Sequence, residues 1–237
     1  MDASSAVDWK SVDTVLLDMD GTLLDLRFDN WFWGTLVPNR YAAAHGMSEA
    51  QSHEHLALKF KNVAHTLQWY CIDYWTRELK LDIPALKRET MPRVGFLPGA
   101  EVFLQKLRAS GKRVVLVTNS HPTTLAIKNE RVALTQYFDA CYSSQPFDAP
   151  KEDAAFWPRL AAREEFSRQR TLFIDDSLRV LACARDYGIA EPGAAINAAV
   201  RLPHAPYSAT QACTTIVCSR YSLPIGRVLR LDHGARR

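Results

Sequence analysis

Two aspartates, Asp18 and Asp20, stand one residue apart, after the apolar run Val15-Leu16-Leu17 and before Gly21-Thr22. A carboxylate can serve as nucleophile, as general acid or base, or as a metal ligand. Further along the chain come Thr118-Asn119, then Lys151, then Asp175-Asp176. Taken singly, each has an ordinary explanation. Asp and Gly form turns, and Thr-Asn or Asp-Asp-Ser can cap a helix. A lysine in a first helical turn is usually a solvated one. The set becomes informative only if the fold brings its members together.

Together they define a chemistry. Four carboxylates in one crevice, from Asp18, Asp20, Asp175 and Asp176, repel one another unless a cation is present. A hard ion with oxygen ligands, Mg²⁺, resolves that conflict. Lys151 adds a fixed positive charge and Thr118 a hydroxyl donor. Metal, ammonium and hydroxyl suit a phosphoryl group, whose oxygens carry shifting charge in the transition state.

The elements that must position these groups are readable as hydrophobic patterns. Val12 to Leu17, Val114 to Val117 and Thr171 to Ile174 are short apolar runs, and Tyr137 to Tyr142 is a weaker one. Helical patterns separate them, over 100–109, 122–133, about 150–165 and 177–187. Continuous apolar strands alternating with helices predict an α/β fold with a doubly wound parallel sheet covered on both faces. Ligands bind such sheets beyond the carboxyl ends of the strands. Asp18, Thr118 and Asp175 each stand at such an end. Residues 27–96 interrupt the alternation with helical spacing only: Phe28, Trp31, Phe32 and Leu36; Leu56, Phe60 and Val63; Trp69, Ile72, Trp75 and Leu79. Ser48 with Gln51 predicts a capping box, and Pro84 a first helical turn. The expected organisation is a core of 1–26 and 97–189, a helical cap of 27–96, and an atypical tail of 190–237. Hinges are expected near Leu24–Arg27 and Phe96–Gly99.

The segments Asp18-Met19-Asp20-Gly21-Thr22, Thr118-Asn119, Pro150-Lys151 and Ile174-Asp175-Asp176 resemble, in order and spacing, the four signature motifs of the haloacid dehalogenase superfamily of phosphatases. The insertion resembles the cap of its phosphoglycolate-phosphatase-like branch. The resemblance implies Asp18 as nucleophile and Asp20 as the acid that protonates the leaving oxygen, then the base that activates water. It implies that Thr118 holds the phosphoryl group and that Lys151 neutralises charge on Asp18 and the phosphate, with Asn119 beside them in substrate binding. Asp18, the backbone carbonyl of Asp20, and Asp175 would ligate Mg²⁺, supported by Asp176. Gly21 and Thr22 would shape the loop. The dehalogenases of the superfamily lack an acid two residues after the nucleophile. The presence of Asp20 therefore favours a phosphatase.

Substrate signals are thinner. The insertion holds 11 of the 24 aromatic residues, and a small helical bundle would bury most of these as core. One or two rings lining the crevice could stack on a base. VDTVLLDMDGTLLDLRFDNWFW, HTLQWYCIDYWTREL, PKED and RTLFIDDS also resemble bacterial 5′-nucleotidases of this superfamily that act on the purine nucleoside monophosphates guanylate and inosinate. The implied substrate is a small phosphomonoester, a purine nucleotide. Arg27, Asp29, Asn30, His65 and Trp69 are candidates for reading the base, with no motif to choose among them. A phosphatase for phosphoglycolate or sugar phosphates is the second reading. A binding module without catalysis is the third, and the complete acid, threonine and lysine set argues against it.

Composition narrows the rest. A net charge of +3 is too small to imply a nucleic-acid partner. No run approaches the roughly 18 apolar residues of a membrane span. The amino-terminal MDASSAVDWKSVD is polar, so a cytoplasmic protein is expected. The five cysteines have no metal-ligand spacing and are expected to be free, mostly buried thiols. Residues 190–237 carry six Arg, no Lys and two acids. That break in composition predicts a weakly structured tail or the product of a frame change near residue 190. A nucleic-acid-binding tail is the functional alternative.

Overall fold

The computed structural model describes residues 7–189. Four parallel strands form one sheet: β1 (Thr14–Leu17), β2 (Arg113–Thr118), β3 (Ala140–Ser143) and β4 (Thr171–Ile174), in the order β3-β2-β1-β4. Leu17 sits in register with Leu116 of β2 and with Ile174 of β4. The carboxyl ends of β1 and β4 are therefore level, and the adjacent β2 runs two residues further, to Thr118. Chain order reverses about β1: β2 and β3 lie to one side and β4 to the other. That is where a doubly wound sheet opens its crevice.

The alternation of side chains along each strand explains the continuous apolar runs. Val15, Leu17, Val114, Leu116, Leu172 and Ile174 point into one buried cluster, and Leu16, Val115, Val117 and Phe173 into the other. The first cluster includes Phe103, Leu104 and Leu107 of α7 (Ala100–Arg108). The second is covered by α9 (Phe156–Ala161) and α10 (Leu178–Tyr187). Between β2 and β3 runs α8 (Pro122–Val132).

Between β1 and α7 lie only helices: α1 (Arg27–Trp31), continued through a π turn at Phe32–Leu36 into α2 (Val37–His45), then α3 (Glu49–Val63), α4 (Leu67–Tyr70), α5 (Ile72–Leu79) and α6 (Ile83–Thr90). The Ser48–Gln51 capping box opens α3, and Pro84 sits in the first turn of α6. The two connections to the sheet run side by side. Asp25 N–H donates to the Gly95 carbonyl at 3.0 Å, and Leu97 N–H to that of Leu23 at 2.8 Å.

Four expectations shift. The third strand begins at Ala140, because Leu134–Tyr137 closes into a 3₁₀ turn. The helix expected from Pro150 begins at Phe156. Residues 150–155 are turns instead, because distant groups hold Lys151: its N–H donates to Asn119 Oδ1 and its carbonyl accepts from Trp157 Nε1, both at 2.9 Å. The run Trp69 to Leu79 is two helices, broken at Cys71, whose Sγ caps α5 by accepting from Tyr74 N–H. Cys71, Cys141 and Cys183 are free and half-buried rather than buried. The tail of 190–237 lies outside the described residues.

Candidate active site

Asp18 follows β1 directly, and its N–H donates to the Ile174 carbonyl at 3.0 Å, which ties the start of the loop to β4. The Lys151 ammonium is 2% exposed. It donates to Asp18 Oδ1 at 2.5 Å, to Asp175 Oδ2 at 2.7 Å and to the Val117 carbonyl at 3.0 Å. One cation thus joins the ends of β1, β2 and β4. Burial disfavours that ammonium, yet the two carboxylates outweigh burial and hold it charged well above its ordinary range.

Asp176 completes the acidic group. Ligand atoms from Asp18, Asp175 and Asp176 lie within 4.8 Å of one another. With all three ionised, the carboxylates exceed the single ammonium by two negative charges. The strain shows in the acids themselves. Burial, then the neighbouring Asp18 and Asp175, push Asp176 up to about 8. Burial pushes Asp18 up to about 6 against the pull of Lys151. An oxygen-ligand set with two surplus charges fits a hard divalent cation.

Gly21 makes this packing possible. It adopts φ +90°, and a Cβ there would stand 2.2 Å from Asp176 Oδ2. Thr118 is buried at the end of β2, and its Oγ1 accepts from Ser120 N–H at 3.0 Å. That contact uses an oxygen lone pair and leaves the hydroxyl hydrogen for donation.

Asp20 lies in a second charge group. Its Oδ2 accepts from the Ser120 hydroxyl at 2.7 Å, and its Oδ1 from Lys128 Nζ at 2.6 Å. Lys128 also donates to Asp29 Oδ2 on α1 at 2.5 Å, and Lys87 of α6 reaches Asp29 Oδ1 at 3.2 Å. Two acids and two ammoniums balance here. Burial raises Asp20, against the pull of Lys128. Asp29 is held below its ordinary value because its two lysines outweigh burial.

Of the residues named for base reading, Asp29 and Trp69 are engaged by protein. Asp29 carries the two lysines, and Trp69 stands edge-on to Phe60 and Trp75 at 5.7 and 6.2 Å. Arg27 is exposed and turns back to Asp25 at 2.6 Å, and Asn30 is exposed. His65 lies 4.0 Å from Glu152. Asn119 bonds protein at both ends of its amide, accepting from Lys151 N–H and donating to Glu152 Oε2 at 2.8 Å.

Sequence reasoning passed over Lys128, Lys87, Ser120, Glu152 and Tyr70. Tyr70 of α4 donates to Glu152 Oε1 at 2.8 Å, a second bridge from the insertion to the sheet. A signal existed for the lysines. Thr124, Ile127 and Lys128 form the buried stripe of α8, and Ile83, Lys87 and Thr90 that of α6. A lysine on the apolar stripe of a helix needs a buried partner.

A profile of haloacid dehalogenase-like hydrolases matches residues 12–188, which span the sheet and every group described above. The chain belongs to the haloacid dehalogenase-like hydrolases. Within this family it is 45% identical, over 183 residues, to the GMP/IMP nucleotidase YrfG of Escherichia coli and to that of Shigella flexneri. Each match covers 77% of this chain and 82% of the relative. The fold recurs in an HAD phosphatase of Thermococcus onnurineus, at TM-score 0.65 and 20% identity over 75% of this chain and 84% of that one. It recurs also in the HAD-hydrolase YfnB of Bacillus subtilis, at TM-score 0.55 and 20% identity over 75% and 86%. Among the described residues of this family member, no helix is long and apolar enough to cross a membrane.

Proposed function

We propose that this hydrolase is a 5′-nucleotidase that hydrolyses purine nucleoside monophosphates, with GMP and IMP as substrates, through a phosphoryl group carried on Asp18. The observation that supports the chemistry is the Asp18–Lys151–Asp175 arrangement with a second, differently held acid, Asp20, two residues after Asp18. The substrate class rests on the 45% identity to relatives named GMP/IMP nucleotidase.

Asp18 attacks phosphorus, and the bond to the nucleoside 5′-oxygen breaks. Asp20 gives that oxygen a proton and so releases a neutral alcohol. Asp20 then takes a proton from the water that attacks phosphorus in the aspartyl-phosphate, returning Asp18 and inorganic phosphate. Thr118 donates its hydroxyl hydrogen to a phosphoryl oxygen. Lys151 holds Asp18 in place and offsets the charge gathering beside it. Asp18, Asp175 and Asp176, with the Asp20 carbonyl, would hold Mg²⁺, matching the surplus of two negative charges. When bound, that ion supplies charge neutralisation at the phosphoryl oxygens.

The test is phosphate release with Mg²⁺ from GMP, IMP, AMP, pyrimidine monophosphates, phosphoglycolate and sugar phosphates. Preference for GMP and IMP supports the reading. Preference for the acids or sugars keeps the chemistry and overturns the substrate.

A further inference from the structure

We propose that Lys128 and Asp29 are positioning residues for Asp20: the Lys128 ammonium aims the Asp20 carboxyl, and Asp29, carried on the first helix of the insertion, aims the ammonium. This rests on the phosphatase reading and extends it, because it makes the acid depend on a residue from outside the α/β sheet unit.

Lys128 is 1% exposed. Burying charges is expensive, and apolar replacements of such groups are often neutral or stabilising. Here four charged side chains, Asp20, Lys128, Asp29 and Lys87, are chained through contacts of 2.6, 2.5 and 3.2 Å. Simple packing of α8 against α1 and α6 would be served by leucine at position 128.

Geometry gives the network a direction. Lys128 is on α8, which leaves the sheet after β2, whereas Asp29 and Lys87 are on α1 and α6 of the insertion. The Lys87 ammonium lies over the Phe32 ring, 4.3 Å from its centroid, so its own position is set inside the insertion. Asp29 therefore arrives pre-oriented. Its Oδ2 holds the Lys128 ammonium, whose remaining reach falls on Asp20 Oδ1. Ser120 holds the other Asp20 oxygen, and a hydroxyl can donate or accept, which suits an acid that loses and regains a proton. Asp20 is thereby fixed at both oxygens, one of them through the insertion. With α1 displaced, Lys128 would keep Asp20 but lose the carboxylate that fixes its direction.

A positioning role for a general acid has a signature that a packing role lacks. A nucleoside 5′-oxygen leaves as a poor leaving group and needs the proton of Asp20. An activated aryl oxygen leaves without one. The value of kcat/KM reports only the steps through departure of the leaving group, so the later use of Asp20 as base does not enter it. The experiment is kcat/KM of wild type, Lys128→Met and Asp29→Asn with Mg²⁺, on GMP and on a nitrophenyl phosphate, with circular dichroism and thermal unfolding to establish folding. The expected result is a loss of roughly 100-fold on GMP and less than about tenfold on the aryl ester, the scale of a general-acid contribution. Asp29→Asn keeps the shape of the side chain and carries the test alone if Lys128→Met does not fold. Equal losses on the two esters from a folded variant, or no loss on either, overturn the inference and leave the phosphatase reading standing. A folded wild type inert toward both esters overturns the phosphatase reading and this inference with it.

Discussion

Gly21 and Asp176 stand so close that a methyl group between them would lie 2.2 Å from the carboxylate oxygen. The Gly21 backbone, at φ +90°, also lies outside the range that side-chain-bearing residues adopt readily. Gly21→Ala is therefore expected to push Asp176 out of the acidic group as well as strain the loop. The predicted outcome is a fall in Mg²⁺ affinity, read by titration of activity against the ion, with a stability loss of about 1–2 kcal/mol in urea unfolding. Unchanged Mg²⁺ dependence would contradict the placement of Asp176.

The aromatic cluster of the insertion is core. Trp75 is buried, meets Phe60 at 5.0 Å and Trp33 at 5.8 Å, and donates its Nε1–H to the Trp69 carbonyl at 2.9 Å. Trp75→Ala is expected to cost about 3–5 kcal/mol, the range for deleting a buried aromatic side chain. Chemical denaturation followed by circular dichroism checks it. A loss under about 1 kcal/mol would show that the bundle tolerates a cavity there.

The acidic group gives a pH dependence with a definite sign. Asp176 is raised from 3.8 to about 8 in the folded, ion-free protein. Between those values the folded state binds a proton that the unfolded state lacks, so ion-free stability falls as pH rises through that range. On the proposed metal assignment, Mg²⁺ would compete with that proton and relieve the repulsion among the ionised acids. The rise in melting temperature on adding Mg²⁺ is predicted to be larger at pH 8 than at pH 6. A rise that is equal at the two, or larger at pH 6, would contradict the assignment.

At the opposite end of the sheet the sign reverses. Burial would raise Glu164, but hydrogen bonds from Arg113 and from the Tyr142 hydroxyl overcome it and hold the acid below its ordinary 4.5. Its contribution is full above that value and is lost as pH falls through the folded one. Arg113 is half exposed, so Glu164→Gln is expected to cost only about 1 kcal/mol at pH 7. Urea unfolding should show the gap narrowing as pH falls below 4.5. A gap that does not change with pH would mean that the cost is steric.

The strand ends were legible because their signal is local. An apolar run that stops at Asp18, Thr118 or Asp175 reports the strand and the polar group together, and parallel register aligns them. What escaped was set at a distance. The turn at 150–155 replaces a helix because Asn119, on another strand's loop, holds Lys151 N–H. Lys128 and Lys87 fall on the buried stripes of their helices, but the partner they need becomes visible only when Asp29 is placed between them. The substrate's base is illegible for a related reason. The aromatics of the insertion fill its own core, and the half-buried Tyr70 is turned to Glu152.

The most direct test of the central claim is whether Asp18 carries the phosphoryl group. The protein is mixed with GMP and Mg²⁺, quenched in acid during turnover and analysed by mass spectrometry, beside Asp18→Asn and an EDTA control. The account predicts a phosphoryl increment on the peptide containing Asp18, no increment and no phosphate release from Asp18→Asn, and neither with EDTA. Turnover of GMP by the Asp18→Asn protein, or a phosphoryl group on a different residue, would contradict it.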